Sequence, residues 1–323
     1  MSGPPAQPER LATIDVGTNT VLLLVAERRG AALVPVCERS EITRLGRGVD
    51  ASGRLDPAAI AATVAVLADF AREARALGAA EIACVATSAA RDAANGEEFF
   101  RAARAAAGVS PEIIGGEEEA RLVYASARRD FAPRRAPGER TPALLAVLDV
   151  GGGSTEFIVG DREVPDVRTS LQVGAVRLTE RHVRGDPPSA SEIAAVREGA
   201  RTALAPLSAW AGQVRAARLV GVAGTVTTLA AVEQALPSYD PERVHGSTLG
   251  LGQIEALASR LAGMTVRERA ALPGMEPKRA DVIVAGALVV VEAMRATRFD
   301  ELTVSDRGVR WGLLYDRLAR RGE

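Results

Sequence analysis

The tripeptide Asp-Val-Gly occurs at Asp15-Val16-Gly17 and again at Asp149-Val150-Gly151, each time after an apolar run and before another. The two copies align without a gap. The match continues into the following strand pattern, Leu23-Leu24-Val25 against Phe157-Ile158-Val159. A strand–turn–strand unit that recurs once in each half predicts two related α/β domains facing each other across a cleft. Length agrees, because 323 residues with 47% hydrophobic content exceed one ordinary core and point to about two domains.

Around these turns the local signals are ordinary and readable. Met1 to Arg10 is Pro-rich and polar and reads as a frayed tail without a signal-peptide core. Strands are expected over Leu11–Val16, Val21–Ala26, Ala32–Val36 and Glu81–Ala86. Asp56 as N-cap, Pro57 at the first helical position and Gly78 as a stop frame a helix with the apolar stripe Ile60, Val64, Leu67, Ala71, Ala74. Helices follow near Phe99–Ala107 and Glu117–Arg129. Residues Ala132 to Pro142 hold three prolines and a glycine and form the linker candidate. Beyond it come strands at Leu144–Leu148, Arg218–Val222 and Glu301–Val304. Helices are expected near Ser191–Leu207, Gln253–Leu261 and Ala280–Ala296, with a closing helix after Gly308.

The turns carry the chemistry. A phosphate needs several hydrogen-bond donors and little steric bulk, and a glycine turn after a buried strand exposes backbone N–H groups at close range. Gly151-Gly152-Gly153-Ser154-Thr155 offers this; Gly17-Thr18-Asn19-Thr20 adds hydroxyl and amide side chains. The Asp that opens each turn, Asp15 and Asp149, suits a hard cation such as Mg²⁺, with Glu156 as a second carboxylate. A single such turn is as often just a turn with an Asp cap; the pair favours function. Gly221-Val222-Ala223-Gly224-Thr225, again between a strand and a helix, is a third and weaker signal for a polyanionic ligand. Glu117-Glu118-Glu119 opens a helix, where acidic residues are also simply stabilised by the dipole. At about 100° per residue the three cannot share one role, and spacing does not choose among them. Arg91 reads, on its own, as a surface arginine. His182 and His245 have no partners at metal or catalytic spacing.

Composition narrows the partners. The formal net charge of −1 gives no global field for nucleic acid or membrane. The only lysine is Lys278, the remaining cations being Arg, which reads as coding bias. Cys37 and Cys84 fit neither a metal motif nor a disulfide framework, so a reduced, cytoplasmic setting is expected.

Taken together, these residues resemble the exopolyphosphatase / guanosine pentaphosphate phosphohydrolase (Ppx/GppA) family of the actin-like ATPase superfamily. The segments that carry the resemblance are Asp15–Thr20, Ala86–Arg91, Gly116–Leu122, Asp149–Glu156, Gly174-Ala175-Val176-Arg177-Leu178, Gly224-Thr225, Arg279-Ala280-Asp281 and Ser305–Gly308. The resemblance implies two ribonuclease-H-like domains around a central cleft, residues 1–130 and 131–308, with a C-terminal helix, 309–323, returning to the first. It implies Glu119 as general base, Asp149 and Glu156 as Mg²⁺ ligands, and phosphate contacts from Asn19, Arg91 and the turn Gly151, Gly152, Gly153, Ser154; the glycine turns themselves add Asp15, Gly17, Thr18, Gly224 and Thr225 as phosphate-binding candidates. Thr18 and Thr20 replace serines common in the family, and Ala223 stands where a second glycine is common. The additional helical C-terminal region of longer members is absent, so processivity on very long chains is not implied. The expected activity is hydrolysis of terminal phosphate from inorganic polyphosphate. The alternatives are guanosine pentaphosphate (pppGpp) hydrolysis, a weaker kinase reading, and a polyphosphate- or nucleotide-binding sensor module without turnover. A homodimer is compatible with the family.

Overall fold

Apolar strand runs and capped amphipathic helices build two separate cores, one beneath each of two sheets. The structure, a computed structural model, describes residues 9–30, 32–132, 144–215 and 217–321. The chain divides into one unit of Met1–Ile114 with Leu313–Glu323 and a second of Gly115–Gly312.

In the first unit, β1 (Arg10–Val16), β2 (Thr20–Arg29), β3 (Ala32–Ile42), β4 (Ala79–Ala86) and β5 (Glu112–Ile113) form a sheet of order β3-β2-β1-β4-β5. β1–β2–β3 pair antiparallel, while β4 and β5 add in parallel. β1 is buried along almost its whole length, as expected of a central strand. The helix Pro57–Ala76 starts where its cap chemistry dictates, with the Asp56 carboxylate accepting from the Ala58 and Ala59 amides. Its Leu67, Phe70, Ala71 and Ala74 are fully buried in the core with Ile14, Leu23 and Phe99. Complete burial of one such large side chain is worth about 1.5–3 kcal/mol.

The second unit repeats the plan. β6 (Leu145–Val150), β7 (Thr155–Gly160), β8 (Val167–Leu171), β9 (Arg218–Val222), β10 (Thr248–Gly250) and β11 (Glu301–Val304) are ordered β10-β11-β9-β6-β7-β8. Set aside the antiparallel edge strand β10, and β8-β7-β6-β9-β11 matches β3-β2-β1-β4-β5 in order and in strand direction. The repeat read from two tripeptides is thus a repeat of whole ribonuclease-H-like sheets. The Ile283–Thr297 helix, apolar nearly all round, is buried over most of its length within this core.

Three expectations shift. The division falls after Ile114 rather than after residue 130. The reason is packing: the Gly116–Phe131 helix contacts β6, β7 and β8, so it belongs to the second unit. Arg10 opens β1 and pairs with Glu27 at 2.8 Å, so it is not part of a tail. β3 runs to Ile42, well past Val36. Residues 1–8 of the expected tail and 133–142 of the expected linker lie outside the described residues. Among the described residues no helix is long and apolar enough to cross a membrane.

Candidate active site

Each Asp-Val-Gly turn closes in the same way. The Gly17 amide donates to the Thr20 carbonyl at 2.9 Å, and the Gly151 amide to the Ser154 carbonyl at 3.0 Å. Both turns also have their outer carbonyls tied back by a following segment. In the first unit the Gly46 amide donates to the Thr18 carbonyl, while the Thr43 and Arg44 amides donate to that of Asn19. In the second, the Ala175 amide donates to the Gly151 carbonyl and the Val176 and Arg177 amides to that of Gly152. A planar trans peptide holds its N–H opposite its C=O. With Arg177 Nε donating to the Gly153 carbonyl at 2.8 Å, the carbonyls of Gly151, Gly152 and Gly153 are all held from the segment that follows, which turns the amides of Gly152, Gly153 and Ser154 to the other side. None of these three amides has an acceptor among the described residues. The Ala175–His182 helix closes on the turn only because residue 174 lacks a side chain: a methyl there would lie 2.5 Å from the Gly152 carbonyl oxygen.

The carboxylates form a row. Asp149 on β6 lies directly opposite Glu156 on β7, and Glu156 lies directly opposite Ser170 on β8. Residues in such register project from one face of the sheet with Cβ atoms about 4.5–5.5 Å apart. All of Glu156 and nearly all of Asp149 is buried, at 1% and 7% exposure. Burial pushes the Asp149 carboxyl up to about 7, because the low-dielectric surroundings disfavour its charged form. The Ser170 hydroxyl donates to Glu156 Oε1 at 2.7 Å. Ser170 in turn packs on Gly116, the first residue of the helix that carries the glutamate cluster; a methyl at Gly116 would meet Ser170 Cβ at 2.6 Å.

That helix separates its three glutamates as their angular spacing demands. Glu117 is exposed and reaches Arg168 at 4.0 Å. Glu118 makes two hydrogen bonds to the guanidinium of Arg121, at 2.7 and 2.8 Å. Glu119 is buried, at 8% exposure. Of the three, only Glu119 is a buried carboxylate on the helix that packs against the sheet carrying the carboxylate row.

The remaining candidates divide between the units. In the first, Asp15, Thr18 and Asn19 are all nearly buried. Arg91 donates to the Ile114 carbonyl at 3.0 Å and lies 3.5 Å from Asp92, so it is a partnered group and not a solvated arginine. In the second, the Arg279 guanidinium lies directly over Gly224. Thr225 is buried and packs against Gly286 of the Ile283–Thr297 helix. Ala223 adopts φ +70°, the left-handed region that glycine enters without steric penalty.

Among the described residues no three His, Cys, Asp or Glu side chains gather closely enough to hold a metal ion by themselves. The Asp149–Glu156 pair nonetheless suits a cation such as Mg²⁺, which is commonly held by one or two carboxylates, with water and substrate phosphate completing its shell. Ser170 and Arg177 escaped the reading of the sequence. Arg177 stood in a segment to which no role attached, and Ser170 had no local signal, since its importance arises from cross-strand register.

Comparisons with known proteins cover nearly the whole chain. The chain is 40% identical over 318 residues to exopolyphosphatase 2 of Mycobacterium tuberculosis, covering 94% of this chain and 97% of that protein. It is 34% identical to exopolyphosphatase 1 of Mycobacterium bovis, covering 96% and 88%. The crystal structure of an exopolyphosphatase from Cytophaga hutchinsonii superposes with a TM-score of 0.86 at 25% identity, covering 97% of this chain and 98% of that one. The Aquifex aeolicus Ppx/GppA family member gives 0.78 at 31% identity, covering 98% and 99%. With two ribonuclease-H-like sheets, paired Asp-Val-Gly turns, and a match of residues 24–321 to the model of the Ppx/GppA phosphatase family, this chain belongs to that family.

Proposed function

We propose that the chain is an exopolyphosphatase, a phosphoric anhydride hydrolase that releases the terminal phosphate of inorganic polyphosphate. The observation that carries this reading is the Gly151–Ser154 turn, with three amides aimed one way, bracketed in sequence by the buried carboxylates Asp149 and Glu156. A terminal phosphoryl group meets donors there that need no reorganisation and that offset its charge in the bound state as in the transition state. Gly224 and Thr225 open a helix N-terminus suited to a further anionic group. In the first unit the same turn geometry makes Asp15, Gly17, Thr18 and Asn19 a second phosphate grip, with Arg91 as its cation.

In the reaction, the oxygen of a water attacks the terminal phosphorus in line with the anhydride oxygen. That P–O bond breaks, the shortened chain leaves with the electron pair, and Glu119 takes the proton from the attacking water. Asp149 and Glu156 would hold a divalent cation, Mg²⁺ in this reading, which would supply charge neutralisation to the phosphoryl group when bound. Ser170 keeps the Glu156 carboxylate oriented for that task.

The test is phosphate release measured side by side from long polyphosphate, tripolyphosphate, pppGpp and ATP, with Mg²⁺ and with chelator. The reading expects metal-dependent release from polyphosphate. Release from pppGpp alone would reassign the substrate, and tight polyphosphate binding without release would make the protein a sensor.

A further inference from the structure

The three carbonyls of the Gly151–Ser154 turn are not held alike. Those of Gly151 and Gly152 accept from the backbone amides of Ala175, Val176 and Arg177. That of Gly153 accepts from a side chain, Arg177 Nε, at 2.8 Å. The guanidinium is also held at Nη2, which donates to Gln172 Oε1 at 2.9 Å. In the first unit the equivalent carbonyl, that of Asn19, is held by the backbone amides of Thr43 and Arg44. The direction of the peptide joining Gly153 to Ser154 therefore depends on a side chain, whereas its counterpart in the first unit is held by backbone amides.

We propose that Arg177 is a positioning residue of the phosphate turn: its guanidinium fixes the Gly153 carbonyl and so aims the Ser154 amide at the bound phosphoryl group. The inference rests on the reading of this turn as a phosphate grip. Arg177 acts as a hydrogen-bond donor to a neutral carbonyl, and its charge is not what the turn uses. This separates it from an arginine that touches substrate, and the two roles predict opposite results for one substitution.

In Arg177→Gln the amide nitrogen stands the same number of bonds from the backbone as Nε of arginine, so the donor survives and the charge is lost. Arg177→Met keeps the length of the chain to that point and has no donor. The full chain is assayed for tripolyphosphate hydrolysis with Mg²⁺, and for tripolyphosphate binding by calorimetry. Arg177→Met is expected to raise KM and Kd by about 10-fold or more, the scale of one hydrogen bond to a charged group, with kcat changed far less because the grip acts on ground and transition states alike. Arg177→Gln is expected within about 3-fold of wild type on both. An unchanged KM and Kd in Arg177→Met overturns the proposal. So does an Arg177→Gln variant that folds and binds as poorly as a charge deletion at a substrate contact, by about 10-fold or more; this comparison stands even if the Met variant does not fold. Wild-type protein that binds tripolyphosphate without releasing phosphate would remove the hydrolase reading, while weakened binding in Arg177→Met would still support the positioning role.

Discussion

Replacing Gly174 with alanine tests whether the turn acts through its backbone geometry. A methyl at residue 174 would lie 2.5 Å from the Gly152 carbonyl oxygen, 2.6 Å from its carbon and 2.8 Å from the Gly151 oxygen. Carbon–oxygen contacts in proteins settle at roughly 3.3–3.6 Å, so the turn and the Ala175–His182 helix must separate by roughly 0.8 Å. The atoms pushed are backbone, which cannot rotate aside as a side-chain tip can. The same movement stretches the bonds from the Ala175 and Val176 amides, both near 3.0 Å, that set the direction of the Gly152 and Gly153 amides. Overpacking of this kind costs about 1–3 kcal/mol of stability, leaving a folded protein. Misplacing a positioning group by about 1 Å can cost on the order of 10²-fold in rate, so kcat/KM for polyphosphate should fall about 30- to 100-fold. Phosphate release gives the rate, and circular dichroism shows whether the fold persists. A folded Gly174→Ala protein with kcat/KM near that of wild type would refute the argument that carbonyl anchoring aims the amides.

Other perturbations separate the remaining parts. Ser170→Ala removes the donor to Glu156, and loss of such an outer partner typically costs about 10–100-fold in metal affinity; a Mg²⁺ titration of activity should shift by that amount with little change at saturation. Ala223→Gly relieves the left-handed backbone, about 1–2 kcal/mol, less about 0.5–1 kcal/mol for the added chain entropy of glycine, so thermal denaturation should show a small gain in stability. Asp149, with its carboxyl raised by burial from 3.8 to about 7, holds a proton in the folded chain over a range where the unfolded chain has lost it. In chelated protein its contribution to stability is therefore fully present below 3.8 and is lost as pH rises to about 7. Asp149→Asn should flatten that slope in melts across the window, whereas an identical slope would place the titration elsewhere.

Local chemistry was legible and cross-strand partnership was not. The Asp56 cap, the paired turns and the apolar runs of β1 and β6 are properties of adjacent residues, and they read directly. The angular separation of Glu117, Glu118 and Glu119 was also readable, but not which of them is buried, since that depends on which sheet the helix meets. The same gap displaced the division between units. The apolar face of Gly116–Phe131 says that the helix packs on a sheet, and only the contacts with β6, β7 and β8 say on which one. β8 is short and half-buried, without a strong alternating pattern, so Ser170 gave no sign of its place opposite Glu156. Arg177 needed the close approach at Gly174 before its side chain could reach the Gly153 carbonyl.

The central claim, that a water deprotonated by Glu119 attacks the terminal phosphoryl, is tested most directly by Glu119→Gln. The substitution keeps the shape and hydrogen-bonding capacity of a side chain that is only 8% exposed and removes its ability to take a proton. Phosphate release from polyphosphate and polyphosphate binding are measured on the same preparation. The account predicts binding close to wild type and turnover reduced by about 10²–10⁴-fold. Undiminished phosphate release from Glu119→Gln would contradict it.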